Sequence, residues 1–371
     1  MTNPLLAGVR ILDLSRLLPG PFCTLYLAQL GAEVIKVEEP PSAKSAGGDY
    51  ARSMSPELFQ LINRGKKSVT LDLRQPEGAE RFHKLAATAD ALLESFRPGV
   101  MDKLGCGYEA LKSVNPRLVF AALSGYGQTG PYRDRAGHDI NYRGYAGELD
   151  QAGAAGGPPS AGNFQVADLA GGALTCAVGL LAALLGARAS GKGAFVDSSM
   201  LDGTLALQVA PLATLRTLGK GQPRGQDFLS GGLPNYGVYE CADGRYVSVG
   251  ALEPKFFTGL CAAVGRPDLA KLPLAQGQAG EPLRRELAAL FKTKSRDEWV
   301  ALAGDQDTCL GPVLSPEEAL QNEQVLARKL VTTADGKPAF ASPLQFLDAV
   351  PADLAPAPAL GQHNAEILGS L

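Results

Sequence analysis

The chain has 371 residues, of which 45% are hydrophobic and 20% charged, enough for a sizeable core and typical of two domains. A formal net charge of −3 excludes the overall basic surface that nucleic-acid binding requires, so we expect a small-molecule partner and no nucleic acid. Six scattered cysteines without a C-x-x-C pair, and only three histidines, argue against a disulfide framework or a metal site. The first ten residues lack the features of a secretory signal, so we expect a cytoplasmic protein.

The N-terminal third alternates strand and helix signals. Four apolar runs predict buried strands, at 9–14, 33–37, 91–96 and 118–123. The basic cluster 64–67 runs into a further strand, and helices are predicted up to Leu30 and over 76–89. This alternation predicts an α/β fold with a Rossmann-like, doubly wound parallel sheet.

The ends of these strands indicate where a ligand binds. Ligands of open α/β sheets gather at the carboxyl ends of the strands, so Arg97 is well placed for a phosphate. The Gly-rich loop 124–131 is not followed by a helix as a dinucleotide fingerprint requires, so we predict no nicotinamide cofactor. His83 lies inside the helix 76–89 among charged residues and is interpreted as a surface histidine.

A smaller α+β domain is predicted over 225–330, and the large domain then comprises 1–224 with 331–371. Two strand-like runs between 238 and 250 flank an Asp-Gly turn, which is typical of a hairpin. Helical stretches follow at 254–265, 281–293 and 296–304. A Pro/Ala-rich stretch at 351–359 lies in the segment that returns to the large domain.

Two ionisable residues stand out as a candidate site. His138 has an acid, an amide and a phenol within four residues of it in the sequence, and Asp168 directly precedes the uncharged apolar run 169–185. The run predicts a buried helix rather than a membrane span, with Asp168 as its N-cap. Unpaired N–H groups in the first turn of that helix could hold a developing oxyanion, such as an enolate.

Motifs spread over nearly the whole chain add a family resemblance. They lie at 8–14, 30–38, 96–99, 137–142, 166–168, 190–193, 239–247 and 250–254. Together they resemble the class III CoA-transferase family (CaiB/BaiF type), and within it the branch of 2-methylacyl-CoA racemases. In the transferases the position of Asp168 supplies a nucleophilic carboxylate, whereas in the racemase branch the same Asp is an acid/base. His138 and Glu253 mark the racemase branch.

The resemblance implies a chemistry that the residue types support. Inverting a carbon next to a thioester needs a base on one face and an acid on the other, and His138 and Asp168 are two chemically distinct proton carriers. Glu253, helped by Asp139, would orient His138 and stabilise its charged form. No cofactor is implied, because CoA is part of the substrate. The family also implies an interlocked homodimer, with Glu253 of one chain opposite His138 of the other.

The family pattern places the CoA contacts at the strand ends and around His138. Carried over position by position, they are Leu71, Asp72, Leu73, Arg74, Ser95, Phe96, Arg97, Lys103, Gly137, Asp139, Ile140, Asn141 and Tyr142. This chain departs from the pattern at Glu39, where the racemases usually have an arginine before the proline. Because an acid cannot bind a phosphate, we expect Lys36 or a residue of the cluster 64–67 to compensate.

Three functions are compatible with the sequence. The favoured one is epimerisation of 2-methylacyl-CoA thioesters by 1,1-proton transfer through an enolate. The second is transfer of CoA between carboxylic acids with Asp168 as nucleophile. The third is a CoA-binding protein without catalysis, which the presence of His138, Asp168 and Glu253 together argues against.

Overall fold

The computed structural model describes residues 5–43, 45–346 and 354–371. Its larger unit comprises residues 1–146, 163–207 and 324–371, and its smaller unit comprises 147–162 and 208–323. The smaller unit thus begins before the predicted residue 225. One reason is Arg224, whose guanidinium donates to the main-chain oxygen of Asp150 and pairs with its carboxylate at 3.1 Å. Residues 351–353 of the predicted Pro/Ala-rich stretch lie outside the described residues.

The strands confirm the predicted doubly wound sheet. They are β1 (Arg10–Asp13), β2 (Glu33–Glu38), β3 (Lys67–Thr70), β4 (Ala91–Glu94), β5 (Val119–Ser124), β6 (Phe195–Ser199), β7 (Tyr236–Glu240), β8 (Tyr246–Gly250), β9 (Leu310–Pro312), β10 (Val331–Ala334) and β11 (Lys337–Phe340). The first six form one parallel sheet in the order β3-β2-β1-β4-β5-β6. In the smaller unit, β7, β8 and β9 form an antiparallel sheet that contains the predicted hairpin.

Helices occupy most of the connections. They are α1 (Pro19–Gln29), α2 (Ala51–Met54), α3 (Pro56–Ile62), α4 (Pro76–Ala87), α5 (Val100–Lys103), α6 (Tyr108–Val114), α7 (Asp139–Ala146), α8 (Glu148–Gln151), α9 (Thr175–Ser190), α10 (Met200–Ala206), α11 (Val209–Leu218), α12 (Pro254–Ala263), α13 (Glu281–Phe291), α14 (Arg296–Ala303), α15 (Pro316–Leu320) and α16 (Glu323–Ala327). A π-helical segment, Val166–Leu174, leads directly into α9.

Both faces of the parallel sheet are buried, which explains why its strands are continuous apolar runs. Successive strand residues point to opposite faces, so Ile11 joins one core cluster while Leu12 joins the other. In β5, Ala121 and Phe120 alternate in the same way. The smaller unit has its own core around Trp299, so each unit is organised about separate apolar packing.

The long apolar helix is buried on one face only, which corrects the prediction of a buried helix. Leu180 and Leu184 are buried, whereas Val178 is 69% and Leu185 is 70% exposed. Among the described residues, Val166–Ser190 is the one helix that is long and apolar enough to cross a membrane by length and composition alone. An exposed apolar face of this kind is typical of a contact surface.

Buried charges hold β1 against the segment that leads into β3. The Lys66 ammonium lies 3.0 Å from an Asp13 carboxylate oxygen, and both side chains are fully buried. Burial alone would raise the pKa of Asp13, but the ammonium groups of Lys66 and Lys36 outweigh it and hold that pKa well below its usual range. Burial lowers the pKa of Lys66 to about 8.

The Asp13→Asn variant is therefore expected to lose about 3–5 kcal/mol of unfolding free energy, because it leaves a buried ammonium without its carboxylate. Urea denaturation at neutral pH measures this loss. The matched control is Glu57→Gln, which breaks the exposed pair with Lys337 and should change stability far less. Equal losses of unfolding free energy in the two variants would contradict the stabilising role of the buried pair.

Candidate active site

A cavity of about 510 Å³ lies in the larger unit at the carboxyl edge of the parallel sheet. Its walls include Arg16 after β1, Ser95 and Arg97 after β4, and Ser124 at the end of β5. The strand order reverses between β1 and β4. Because loops on either side of such a reversal leave in opposite directions, the gap between them is the usual ligand crevice of this fold.

His138 lies on this cavity at the start of α7. Its main-chain N–H donates to Asn141 Oδ1 at 3.1 Å, and its carbonyl oxygen accepts from the Asn141 N–H at 2.8 Å. These reciprocal bonds fix the backbone of the turn. Within the described part of the chain, the imidazole itself makes no hydrogen bond, and it lines the cavity.

Asp168 lines the same cavity from the first turn of the π-helical segment. Burial, and secondarily the nearby Asp139 carboxylate, raises the pKa of Asp168 to about 7. A carboxyl with this pKa is populated in both protonation states near neutral pH, which suits a group that both takes up and releases a proton.

The helix cap differs from the predicted one. The helix begins at Val166 with Gln165 as N-cap, so Asp168 falls inside the first turn. The capping carboxylate is Asp139, whose Oδ1 accepts from the N–H groups of Ala167 at 2.7 Å and Asp168 at 3.1 Å. The prediction that Asp168 caps the helix is therefore wrong.

The sequence predicted unpaired N–H groups in the first turn that could hold an enolate. In the structure the N–H groups of the first turn are already hydrogen-bonded. Asp139 holds two of them, and the N–H groups of Val166 and Leu169 bond to the main-chain oxygens of Phe164 and Gln165. Asp139 also pairs with Arg143 at 3.5 Å on the same helix. The four N–H groups from Val166 to Leu169 are thus used within the protein, and of the donors predicted after Asp168 this includes Leu169.

Tyr142 lines the same cavity as His138. Its hydroxyl donates to the carbonyl oxygen of Gly137, and burial raises its pKa far above the ordinary value. The ring packs so closely on Gly125 that a Cβ there would lie 2.4 Å from it. A glycine at position 125 is therefore required for the loop after β5 to approach α7.

Seven of the predicted contact residues fall on or near this cavity and seven do not. Those that line it are Ser95, Phe96, Arg97, Gly137, Asn141 and Tyr142, and Asp139 stands behind them as the helix cap. Those that do not line it are Lys36, Leu71, Asp72, Leu73, Arg74, Lys103 and Ile140.

Lys36 is the clearest correction. Its side chain is 1% exposed, and its ammonium pairs with Asp49 at 3.0 Å and donates to the Ser15 carbonyl oxygen at 2.8 Å. It cannot reach a phosphate, because its charge is used inside the protein. Arg74 is exposed, but it pairs with Asp72 and with Glu39 at 2.6 Å.

The cluster 64–67 does not compensate for Glu39 either. Arg64 is buried and donates to the main-chain oxygen of Phe340. Lys66 is held by Asp13, and Lys67 pairs with Glu33 and Glu366. The expected compensation by Lys36 or by this cluster is therefore wrong in this structure.

The sequence interpretation missed three arginines on the cavity: Arg16, Arg133 and Arg135. Arg135 stacks on Tyr132, 3.9 Å from the ring centroid, and donates to the Tyr145 hydroxyl at 3.1 Å. Arg16 could have been found, because it follows β1 as Arg97 follows β4, and the same strand-end rule applies to both. No comparable sequence signal marks Arg133 and Arg135.

Glu253 lies in the smaller unit at the N-cap position of α12, and its side chain makes no capping bond. No group of three or more histidine, cysteine, aspartate or glutamate side chains suited to a metal occurs among the described residues. The fold and the cavity define an α/β protein whose candidate ligand site, at the switch point of the sheet, carries an imidazole and a carboxyl of raised pKa.

Comparison with known proteins gives the family. The family model for CoA-transferase family III matches residues 6–364. Alpha-methylacyl-CoA racemase of Homo sapiens is 38% identical over 98% of this chain and 92% of its own length. An acyl-CoA transferase of Fusarium pseudograminearum is 33% identical over 98% of this chain and 84% of its own.

Solved structures agree with this result. A CAIB/BAIF family protein from Brucella suis has a TM-score of 0.86 and 30% sequence identity, and each chain covers 100% of the other. The chain therefore belongs to CoA-transferase family III, the CaiB/BaiF family, and is an enzyme of that family. Racemases and CoA-transferases both occur among its relatives, the latter including a succinyl-CoA:glutarate CoA-transferase of Mus musculus that is 31% identical over 98% of this chain and 85% of its own length.

Proposed function

We propose that this enzyme epimerises 2-methylacyl-CoA thioesters by 1,1-proton transfer, with His138 and Asp168 as the two acid/bases. The observation that carries the proposal is that an imidazole and a carboxyl of pKa about 7 line one cavity. The similarity to alpha-methylacyl-CoA racemase supports the same activity. The reaction needs no cofactor, because the thioester carbonyl itself acidifies the neighbouring C–H bond.

The proton balance assigns a role to each group. One group removes the α-proton, and the electron pair of the broken C–H bond moves into the thioester to form an enolate. The other group then delivers a proton to the opposite face of the same carbon. His138 and Asp168 exchange these roles when the opposite enantiomer is the substrate, and each positioned transfer is worth about 10²- to 10⁴-fold in rate.

Transfer of CoA between carboxylic acids, with Asp168 as nucleophile, is the second candidate, and the transferase relatives favour it. A pKa of about 7 leaves roughly half of Asp168 ionised at neutral pH, so it is compatible with a nucleophile as well as with an acid/base. The feature that favours the epimerase is His138 on the same cavity, because inversion needs a second proton carrier.

Incubation of a single enantiomer of a 2-methylacyl-CoA in D₂O tests the two candidates. The epimerase is expected to incorporate α-deuterium and to form the other enantiomer without any acceptor acid. The transferase would instead need an acceptor acid, and hydroxylamine would trap an acylated Asp168. Trapping without deuterium incorporation would overturn the proposed function, and an unchanged rate of inversion in His138→Ala would overturn the role of His138 as one of the two acid/bases.

We further propose that the enzyme is an interlocked homodimer in which Glu253 of one chain orients His138 of the other. The exposed apolar face of α9, which includes Val178 and Leu185, supports a protein partner there. Glu253 itself is exposed and makes no capping bond at α12, which leaves its carboxylate without a partner among the described residues.

Co-expression of His138→Ala and Glu253→Ala chains with different affinity tags tests this arrangement. Each homodimer is expected to be nearly inactive. If Glu253 acts across the dimer, the purified heterodimer has one site with both residues intact and should recover about half of the wild-type rate. If both residues acted within one chain, the heterodimer would stay inactive, and the proposed arrangement would be wrong.

A further inference from the structure

Arg16 occupies a fixed position on the cavity wall. Its guanidinium carbon lies 5.1 Å from the ring centroid of Tyr50 and 5.1 Å from that of Phe96. One guanidinium nitrogen donates to the Tyr50 hydroxyl at 3.2 Å, and the main-chain N–H donates to Ser95 Oγ at 3.2 Å. The two rings restrict the guanidinium group without neutralising its charge.

The turn that carries Arg16 is held on both sides. Lys36 donates to the carbonyl oxygen of Ser15 at 2.8 Å, and Asp49 Oδ1 accepts from the N–H of Leu17 at 2.9 Å. Leu17 has a φ of +64°, a left-handed conformation that is uncommon for a non-glycine residue. A backbone strained in this way persists only where its surroundings enforce it.

The two residues that enforce the turn are partners of each other. The Lys36 ammonium lies 3.0 Å from Asp49 Oδ2, and both side chains are 1% exposed. Asp49 also accepts from the Ala51 N–H, which starts the short helix after Tyr50. The buried pair therefore places the backbone of Arg16 and the aromatic ring beside it at the same time.

Arg16, like Arg97 on the same cavity, differs from several other cations on this edge of the sheet. Arg52 pairs with Glu38, Arg74 with Glu39, and Lys66 with Asp13. Across residues 5–43, 45–346 and 354–371, no carboxylate pairs with Arg16. Its positive charge faces the cavity uncompensated, as the charge of an anion-binding group would.

We propose that Arg16 binds a phosphate group of the thioester substrate, and that the Lys36–Asp49 pair positions it for this contact. The inference rests on the proposed function for the identity of the substrate. Aromatic rings stack on guanidinium faces, which leaves the N–H edge free for the paired hydrogen bonds that phosphate accepts. The phosphate thus contacts a cation at the end of β1, because the cations near Glu39 are neutralised by carboxylates.

Calorimetric titration with CoA, dephospho-CoA and pantetheine tests the contact, with ligand-observed NMR for weak binding. Arg16→Gln is expected to weaken CoA binding about 10- to 100-fold, as loss of a charged hydrogen bond does, and to leave pantetheine binding unchanged. A loss that persists with dephospho-CoA identifies the diphosphate, and one that disappears identifies the 3′-phosphate. Unchanged CoA affinity, or an equal loss with pantetheine, would overturn the proposal.

Two further variants complete this experiment. Arg117→Gln, at the opposite edge of the sheet in a separate small pocket, is the control and should bind CoA as the wild type does. Arg16→Lys keeps the charge without the planar fork and should lie between wild type and Arg16→Gln.

The positioning role is tested by a double-mutant cycle. Asp49→Asn is expected to weaken CoA binding in the wild-type background and to add little to Arg16→Gln, because both act through one contact. Equal losses in the two backgrounds would overturn the positioning role. If Asp49→Asn does not fold, Tyr50→Phe, which keeps the ring and removes the hydroxyl acceptor, replaces it in the same cycle.

Binding is measured without turnover, so this inference and the proposed function can fail separately. A wild-type protein that binds CoA but exchanges no α-proton would overturn the epimerase and leave the Arg16 contact standing. A wild-type protein that binds no CoA would overturn both.

Discussion

The His138→Ala variant is expected to lose inversion of a 2-methylacyl-CoA in both directions, by about 10²- to 10⁴-fold. Inversion needs two proton carriers, and the variant retains only Asp168. Asp168 can still remove and return a proton on its own face, so one enantiomer should keep exchanging its α-proton with D₂O while the other should not. Chiral chromatography combined with mass spectrometry separates inversion from exchange.

The control for this prediction is His83→Ala. His83 lies on α4, where its Nε2 is within 2.8 Å of the Gly105 carbonyl oxygen, and it does not line the cavity. This variant should invert and exchange both enantiomers as the wild type does. If His138→Ala instead slowed exchange of both enantiomers equally, His138 would have a structural role, and the two-base assignment would be wrong.

The Asp168→Asn variant is expected to show the mirror pattern, with exchange retained for the other enantiomer only.

In the wild type, Asp168 has a pKa of about 7, which sets the pH dependence. In His138→Ala, the exchange that Asp168 still supports needs the ionised carboxylate, so its rate should rise with pH through about 7. In the wild type the two directions of inversion should share one pH profile, because kcat/KM for the two enantiomers is linked by an equilibrium constant that does not depend on pH.

Asp139→Asn tests the origin of this pKa. Removing the negative charge near Asp168 should move the midpoint to lower pH, while burial, the larger cause, keeps it above the ordinary value for aspartate. The amide oxygen of Asn can still accept from the helix N–H groups that Asp139 now caps.

Asp134→Asn is the charge-matched control for Asp139→Asn. Its carboxylate is 80% exposed, so solvent should screen the lost charge and the midpoint should stay in place. A midpoint that moves equally in both variants would show that the local carboxylate has no special influence on Asp168.

The fold could be predicted because its signals are local. Each strand of the parallel sheet is buried on both faces, so it appears as an apolar run whose position does not depend on distant residues. The predicted strand 33–37 became Glu33–Glu38, and the predicted helix 76–89 became Pro76–Ala87. Chain order and the handedness of the crossovers then restrict the arrangement of the sheet.

The cation assignments could not be predicted in the same way. Lys36 has the charge and the strand position of a phosphate ligand, yet Asp49, thirteen residues further along the chain, takes that charge inside the protein. The position of Arg16 after β1 could have been predicted, but the absence of a carboxylate partner for it among the described residues could not. Whether a cation is paired inside the protein or available to a ligand depends on which side chains pack around it. The position of a residue relative to a strand does not show this.

The sequence alone predicted the doubly wound α/β fold, because apolar periodicity is a local signal. Its motifs resembled the CoA-transferase III family, and that resemblance together with residue chemistry predicted His138 and Asp168 as the reactive side chains. Only the tertiary structure decided that Asp139 rather than Asp168 caps the helix, and that burial raises the pKa of Asp168 to about 7. Capping and desolvation depend on groups brought together from α7 and the π-helical segment, and folding alone brings them together.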